Sequence, residues 1–471
     1  MDSLRPPRPL PLLVRDAIGS LKVTVVLLSA AIFLVFAGTL AQVDRGIWTV
    51  MDQYFRCYVA WIELRLFFPM GEGMPGKFPF PGGKLLGTAL IVNMLVAHFS
   101  RIRVKARGGR LLLGLGVLGT GAALTWIMIS HVFDLDSSEG TTNPSLRVTY
   151  QLLQGGGAAI VLFMGCWMVF TRKAGIVLLH FGVVLLMASE LITATFAKET
   201  MMRIHEGQTV SYAEDTRMSE LAVWTSADGA TDDVVVVPDK ILRRGGRIEL
   251  PGLPLEIEVD PARYMKNSGL REAKPGDENP ATTGAGLRWI AGPRREGSGV
   301  DTSAGVDMPA VYVTFREKGR PEPIGTLLVA VELTYEHVVQ TVRAGGKDYG
   351  VALRFERVYK PYSLYLYDFK FDRYLGTDKP KDFSSYVRLE DPERHVSRDV
   401  RIWMNNPLRY RGDTLYQADW DKESEAGTVL QVVENRGWMV PYVACMIVAV
   451  GLLGQFLLHL FGFLREQAEQ A

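Results

Sequence analysis

Six apolar runs, at 23–42, 85–97, 111–132, 150–170, 176–197 and 438–463, break up this chain of 471 residues, and only a polar stretch at 198–437 separates the last two. A helix needs about 20 apolar residues to cross the hydrocarbon core of a bilayer. Inside that core every backbone N–H and C=O must find its partner within the segment, so runs of this kind can cross only as helices. The expected fold is an α-helical transmembrane bundle of about six helices plus a large β-rich extracytoplasmic domain. The average composition, 48% hydrophobic and 22% charged, conceals this segregation. The second run is the shortest, pinched between Lys84 and Arg101.

Positive residues in short loops stay on the cytoplasmic side. Arg101, Arg103, Lys105, Arg107 and Arg110 fill the turn between the second and third runs, and Arg172 and Lys173 the turn between the fourth and fifth. The turn between the third and fourth instead carries Asp134, Asp136 and Glu139, with Arg147 its one base. This pattern expects residues 1–22 and 464–471 to be cytoplasmic and 23–197 to hold five helices. The loop 43–83 and the domain 198–437 then lie outside a cytoplasmic (inner) membrane. No cleavable signal peptide is expected, because the first run is long and starts well into the chain.

Segments such as VYVTFRE, IGTLLVAVEL, YGVALRFERVY and TLYQADW are short, rich in β-branched and aromatic residues, and often alternate in polarity, which predicts antiparallel strands in a sandwich or open barrel. The stretch 271–305 is rich in Gly, Pro and charge and reads as a long exposed loop.

Several chemistries are excluded or left without support. The three cysteines, Cys57, Cys166 and Cys445, form no C-x-x-C pair or zinc spacing. The glycine-rich pieces GGKLLG and QLLQGGGAAI lack the endings of a phosphate loop, and in membrane helices small residues more often allow close packing. No nucleophile elbow occurs, no catalytic residue is assigned, and with a net charge of +1 no nucleic-acid partner is expected.

The histidines carry the chemical information. An ionisable group within a spanning run is costly and marks a functional site by default. By helix rise His180 lies about 10 Å in from Arg172 and Lys173, and His98 a little less from Arg101 and Arg103. Either imidazole could ligate haem iron, or simply hydrogen-bond a neighbouring helix or reach the interface. His131 and His459 fall at helix ends, and His205 and His395 belong to the outer domain, with surface roles as the default. Glu190 lies ten residues beyond His180, about 15 Å along the same helix, too far for direct contact. In 405–420, Asn406-Pro407 and Arg411-Gly412-Asp413 are turn chemistry. Tyr410, Tyr416 and Trp420 read as aromatic packing first and a docking surface second.

Four passages in order, GSLKVTVVLL, HFGVVLLMASELITATFAKETMMRIHEGQTVSY, RIWMNNPLRYRGDTLYQADW and VVENRGWMVPYVACMIVAVGLLGQF, resemble the ResB (CcsB) family of system II cytochrome c biogenesis. The resemblance covers both ends of the chain and the final strands of the outer domain. It implies a synthase in which a ResB-type subunit and a ResC/CcsA-type subunit move haem across the membrane and join it to the C-x-x-C-H thiols of apocytochrome c. His180 falls where the family places an intramembrane histidine before its outer domain, which implies haem ligation there, with the second ligand supplied by the partner; His98 is the competing candidate. Such proteins are expected to have three helices before the outer domain, so the third and fourth here are an inserted pair. No tryptophan-rich segment is present, so the haem-presenting half belongs to another chain. Apocytochrome c and a thioredoxin-like thiol reductant are the further implied partners. The subunit's role is then to hold haem and position apocytochrome, non-catalytic or co-catalytic in itself. The rival readings are a b-type haem or quinone-linked membrane anchor using His98 and His180 together, and a haem-independent scaffold or sensor.

Overall fold

The computed structural model describes residues 9–43, 45–68, 75–131, 144–226, 232–297, 306–376, 380–421, 426–435 and 437–470. Its helices are α1 (Leu10–Ile18), α2 (Leu21–Ala41), α3 (Ile47–Val50), α4 (Gly83–Arg101), α5 (Gly108–His131), α6 (Pro144–Phe170), α7 (Ala174–Phe196), α8 (Asp239–Arg244), α9 (Val331–Tyr335) and α10 (Val440–Gln470). Five helical stretches are long and apolar enough to cross a membrane: Leu21–Ala41, Gly83–Ser100, Gly108–Ser130, Thr149–Phe196 and Val440–Gln470. The fourth spans 48 residues and is broken by a 3-10 turn at Thr171–Lys173, where Thr171 takes a positive φ of 55°. It comprises α6 and α7, two helices in contact, with α10 packed on both. The acidic turn expected at Asp134, Asp136 and Glu139 lies outside the described residues.

Two helices exceed their apolar runs. The second run, expected at 85–97, becomes the 19-residue α4, because Lys84 and the residues around Ser100 join as its polar ends. Residues 464–470, expected as a tail, continue α10 to Gln470, in keeping with the strong helix preference of Arg, Glu, Gln and Ala. Buried Asn93 on α4 holds the turn between α1 and α2: its amide donates to the Ile18 and Ser20 carbonyls (3.2 Å for Ser20), and its oxygen accepts from the Thr24 hydroxyl at 2.6 Å.

Small residues allow α7 and α10 to approach closely. A Cβ at Gly175 would meet the Gly451 carbonyl at 2.5 Å, and one at Gly182 would meet Val448 at 2.7 Å. Where lipid tails are as apolar as the helices, such backbone proximity supplies the packing energy. The Gln455 side chain adds polar contacts, donating to the Arg172 carbonyl at 3.1 Å and accepting from the Ile176 N–H at 3.2 Å.

The strands are β1 (Val59–Glu63), β2 (Lys77–Pro81), β3 (Lys198–His205), β4 (Thr209–Ser226), β5 (Asp232–Pro238), β6 (Gly246–Glu249), β7 (Leu255–Met265), β8 (Ser268–Glu272) and β9 (Trp289–Pro293). They continue as β10 (Ala310–Glu317), β11 (Pro323–Ala330), β12 (Gln340–Ala344), β13 (Lys347–Arg373), β14 (Pro380–Asp391), β15 (Val396–Trp403), β16 (Leu408–Tyr410), β17 (Asp413–Trp420) and β18 (Gly427–Glu434). A ten-stranded sheet runs β15-β14-β13-β4-β3-β18-β17-β16, with β5 and β12 pairing at one end of β4 and β13. A four-stranded sheet, β11-β10-β7-β6, packs on that end. Among the described residues every strand pairing is antiparallel.

Two cores result. One lies between the sheets and includes Leu221, Val313, Phe315, Val351 and Phe355; the other fills the opposite half of the long sheet with Met202, Leu364, Leu389, Ile402 and Tyr410. The strand β13 serves both because its register against β4 jumps between Tyr359 and Leu364, around Pro361, which has no N–H to give to a ladder. A Trp403–Asn406 bridge closes the tight turn between the end of β15 and the approach of β16.

The expectation of an exposed loop at 271–305 is corrected over the described residues. Its first residues complete β8, which pairs with β9, and between them Thr282 N–H donates to the Thr326 carbonyl at 2.9 Å. Ala281 and Ala291 are buried with Leu328 and Tyr312 in a satellite core, so short apolar residues between the glycines and prolines anchor a stretch whose composition looked wholly solvated. The connection between α2 and α4 is also more than a loop, since it carries the paired strands β1 and β2, with Ile62 of β1 and Tyr54 before it buried.

The helices and the β domain are joined through their chain ends. The helix α7 passes through Ala197 directly into β3, β18 leads towards α10, and β3 pairs with β18 with Lys198 opposite Glu434. The packed pair α7–α10 therefore continues as a strand pair at the centre of the ten-stranded sheet. The Arg409 guanidinium carbon lies 3.7 Å from the centroid of Trp438, beside this junction.

Candidate functional site

His98 comes from α4 and His180 from α7, and the helices bring the two rings to a centroid separation of 5.1 Å with 46° between their planes. The His180 Nδ1 lies 2.8 Å from the Ile176 carbonyl, one helical turn back. A carbonyl only accepts, so Nδ1 carries the proton and donates it, and in the neutral ring the lone pair stands on Nε2. A hydrogen bond of this kind on the far nitrogen fixes the tautomer and raises the ligating power of the near one. His98 Nε2 is buried without a hydrogen-bond partner.

Both imidazoles line one cavity of about 460 Å³. The remaining wall is apolar: Met94 and Phe99 from α4, Phe181 and Val184 from α7, Leu118 and Ala122 from α5, and Leu162, Cys166 and Phe170 from α6. The helix pair α5–α6, expected only as an insertion of unstated role, thus forms one side of the histidine cavity. Its close packing depends on Gly121 and Gly165, where a Cβ would meet Leu162 and Leu118 at 2.8 Å.

This donor set suits a metal that takes neutral imidazole in an apolar surrounding, and haem iron is one. Two imidazoles on opposite sides of a single metal, each at about 2 Å, would have centroids about 6 Å apart. The observed 5.1 Å is shorter, so the two rings stand beside each other rather than facing across such a gap.

Of the other sequence candidates only Cys166 is among the described residues that line the cavity. Glu190 is exposed on α7, His459 is exposed well inside α10 rather than at a helix end as expected, and His131 ends α5. His205 approaches Asp421 at 3.5 Å on the β domain, and His395 occupies an exposed turn with φ of 54°. Cys57 is half-buried, with its thiol 3.0 Å from the Gln53 carbonyl, Cys445 is exposed on α10, and Cys166 is buried in the cavity wall. Among the described residues no cluster of three or more His, Cys, Asp or Glu side chains could hold a metal.

The passage 405–420 is a packing element. Arg411 and Gly412 both have positive φ and join β16 to β17 as a two-residue hairpin turn, with Tyr410 opposite Asp413. The Tyr410 hydroxyl donates to buried Asp391 at 2.6 Å, and Asp413 accepts from the Tyr362 hydroxyl at 2.7 Å and the Lys360 ammonium at 2.9 Å. Trp420 stacks on Phe371 at 4.6 Å and lies 5.0 Å from Phe383, while Tyr416 is exposed. Burial pushes the Asp391 carboxyl up, but the Tyr410 hydroxyl, backbone N–H groups and the Arg411 guanidinium outweigh it and hold it below the usual carboxylate range.

Residues 325–429, from β11 to the first part of β18, match the ResB-like family. Protein NrfI of Wolinella succinogenes is 36% identical over 97 residues, which cover 21% of this chain and 11% of that protein. Cytochrome c biogenesis protein CcsB of Prochlorococcus marinus is 47% identical over 58 residues, 12% of this chain and 13% of that protein. The matches to this chain thus span only a small part of these relatives. That segment of the β domain is thus similar to the ResB-like family.

Proposed function

We propose that this chain is a membrane subunit of a cytochrome c biogenesis complex and that the His98–His180 cavity holds haem as cargo on its way to apocytochrome c. The observation that carries the reading is the pairing of two helix-borne imidazoles side by side in one apolar cavity, with His180 Nε2 left available by the hydrogen bond at Nδ1. The ResB-like segment and the biogenesis function named for the CcsB relative support it from the other end of the chain.

In this reading α2, α4, α5, α6, α7 and α10 cross the inner membrane, both described ends are cytoplasmic, and the β domain is extracytoplasmic. His180 is the first ligand, and a ResC/CcsA-type subunit supplies its companion. The 5.1 Å spacing favours this arrangement over an internal axial pair. The apolar wall excludes water and the Ile176 carbonyl keeps the His180 ring oriented. No side chain here acts as an acid or base on the thiols; haem supplies its own iron and vinyl chemistry, and a thioredoxin-like reductant keeps the client thiols free. The α7–β3 continuity gives the cavity a direct mechanical link to the domain that would meet the client.

A second reading, a self-contained b-type site, draws on the same proximity of His98 and His180. Pyridine haemochrome spectra of the purified chain, alone and with a ResC-type partner, separate the two. Haem only in the partnered preparation is the expected result, haem in the lone chain turns to the second reading, and haem in neither overturns both.

A further inference from the structure

A second cavity, of about 670 Å³, opens between the first outer loop and the β domain. One wall is the segment carrying Trp48 and Arg56. The other is a bulge of β4, where the register against β13 shifts and residues 216–218 leave the ladder, together with α8. Among the described residues five acidic and five basic side chains line it, so the cavity is charged but balanced. Most of these charges satisfy one another. Arg217 makes a two-pronged contact to Asp215, both distances 2.9 Å, and lies over the Trp48 ring at 4.8 Å. Lys266 donates to Thr49 and Glu296, both at 2.7 Å, tying the loop to the domain.

Among the described residues lining the cavity, two buried side-chain polar atoms remain unsatisfied. Asp239 is 2% exposed, and while its Oδ2 pairs with Arg243 at 2.6 Å, its Oδ1 is buried with no partner. Arg56 Nε is likewise buried with no partner, while its Nη1 lies 3.8 Å from the Asp52 carboxylate and its guanidinium 5.4 Å from the Trp48 centroid. A buried carboxylate oxygen without a donor and a buried guanidinium N–H without an acceptor are each costly. One ligand relieves both if it carries an N–H-bearing cation and an anionic oxygen.

We propose that this cavity binds one phosphoethanolamine headgroup of a phospholipid, its ammonium on Asp239 Oδ1 and its phosphate on Arg56 Nε. Location selects the lipid source over a soluble zwitterion. The loop that carries Trp48 and Arg56 joins α2 to α4, and the inference rests on the reading of those two helices as membrane spans. An ammonium that can donate is required, since a trimethylated choline nitrogen offers no N–H to Asp239. The bound headgroup would fix the height of the β domain over the bilayer.

The test is native mass spectrometry of the full chain from nanodiscs containing equal phosphatidylethanolamine, phosphatidylcholine and phosphatidylglycerol. One retained phosphatidylethanolamine, in preference to the other two, is expected. Asp239→Asn and Arg56→Gln, which stand on opposite walls, should each lower that retention about tenfold. Circular dichroism checks that each variant is folded, and if one is not, the other carries the test. Unselective retention, or retention as high as wild type in both folded variants, overturns the proposal while leaving the membrane reading intact, because the chain will still have entered the nanodisc. Displacement of the lipid by soluble phosphoethanolamine at low millimolar concentration would place the recognition in the headgroup alone and contradict the lipid source. Failure of the chain to enter nanodiscs would overturn both readings together. Capture of a lysine-rich peptide in an Asp239-dependent manner, with no lipid retained, would also overturn the proposal.

Discussion

The His180 Nδ1 donates to the Ile176 carbonyl at 2.8 Å, so the one nitrogen of this ring that faces no backbone partner is the one able to bind a metal. Every functional inference about the membrane part follows from that bond and from His98, whose own Nε2 is buried and unpaired a ring's width away.

The cavity has a small residue where bulk can be added without cutting into the packed core. Ala122 lines it and is exposed, so Ala122→Trp should fill part of the space at little cost in stability. Haem content of the partnered complex is expected to fall severalfold with an unchanged thermal midpoint. Unaltered haem content would place haem elsewhere.

Packing of α7 on α10 leaves no room at Gly182, where a Cβ would meet Val448 and Ile447 at 2.7 and 3.0 Å. Gly182→Leu should destabilise the helix pair by about 1–3 kcal/mol. Thermal unfolding in detergent, followed by circular dichroism, measures it; Gly87→Leu, where no atom lies within 4 Å of the built Cβ, is the matched control.

Trp420 closes a three-ring stack with Phe371 and Phe383. If its role is packing, Trp420→Ala costs about 2 kcal/mol and Trp420→Phe about half that, with haem content unchanged in both. Loss of haem at full stability would instead make this aromatic group a haem-docking surface.

The carboxyl of Asp391 sits below its ordinary value of 3.8 in the folded chain. A group depressed on folding stabilises at pH values above its unfolded pKa and loses that contribution as pH falls through the folded one. The β domain should therefore weaken below about pH 4. Tyr410→Phe removes the 2.6 Å hydrogen bond and should move the acid-unfolding midpoint upward; no movement would show that Asp391 draws nothing from this contact.

Much of this organisation was legible in the sequence. Apolar run length gave the long helices, and β-branched alternation gave the antiparallel strands, because both rest on local periodicity. Placing His98 and His180 on two long helices needed nothing more than those runs. Their 5.1 Å approach did not follow from the runs, since it depends on how α4 leans on α7. Nor did the role of α5–α6: Cys166 and Phe170 look like any other apolar helix residues until their helix closes the cavity. The stretch 271–305 misled because composition is averaged along the chain, whereas burial there is decided by a few positions such as Ala281 and Ala291. The cleft at Trp48 joins residues more than 150 positions apart, and no local signal announces it.

The most direct test of the central claim is the haem content of the chain purified with a ResC-type partner, measured by pyridine haemochrome in wild type, His180→Ala, His98→Ala and the double variant. Loss of haem in His180→Ala, partial retention in His98→Ala and none in the double variant is the predicted pattern. Wild-type haem content in the double variant would contradict the account.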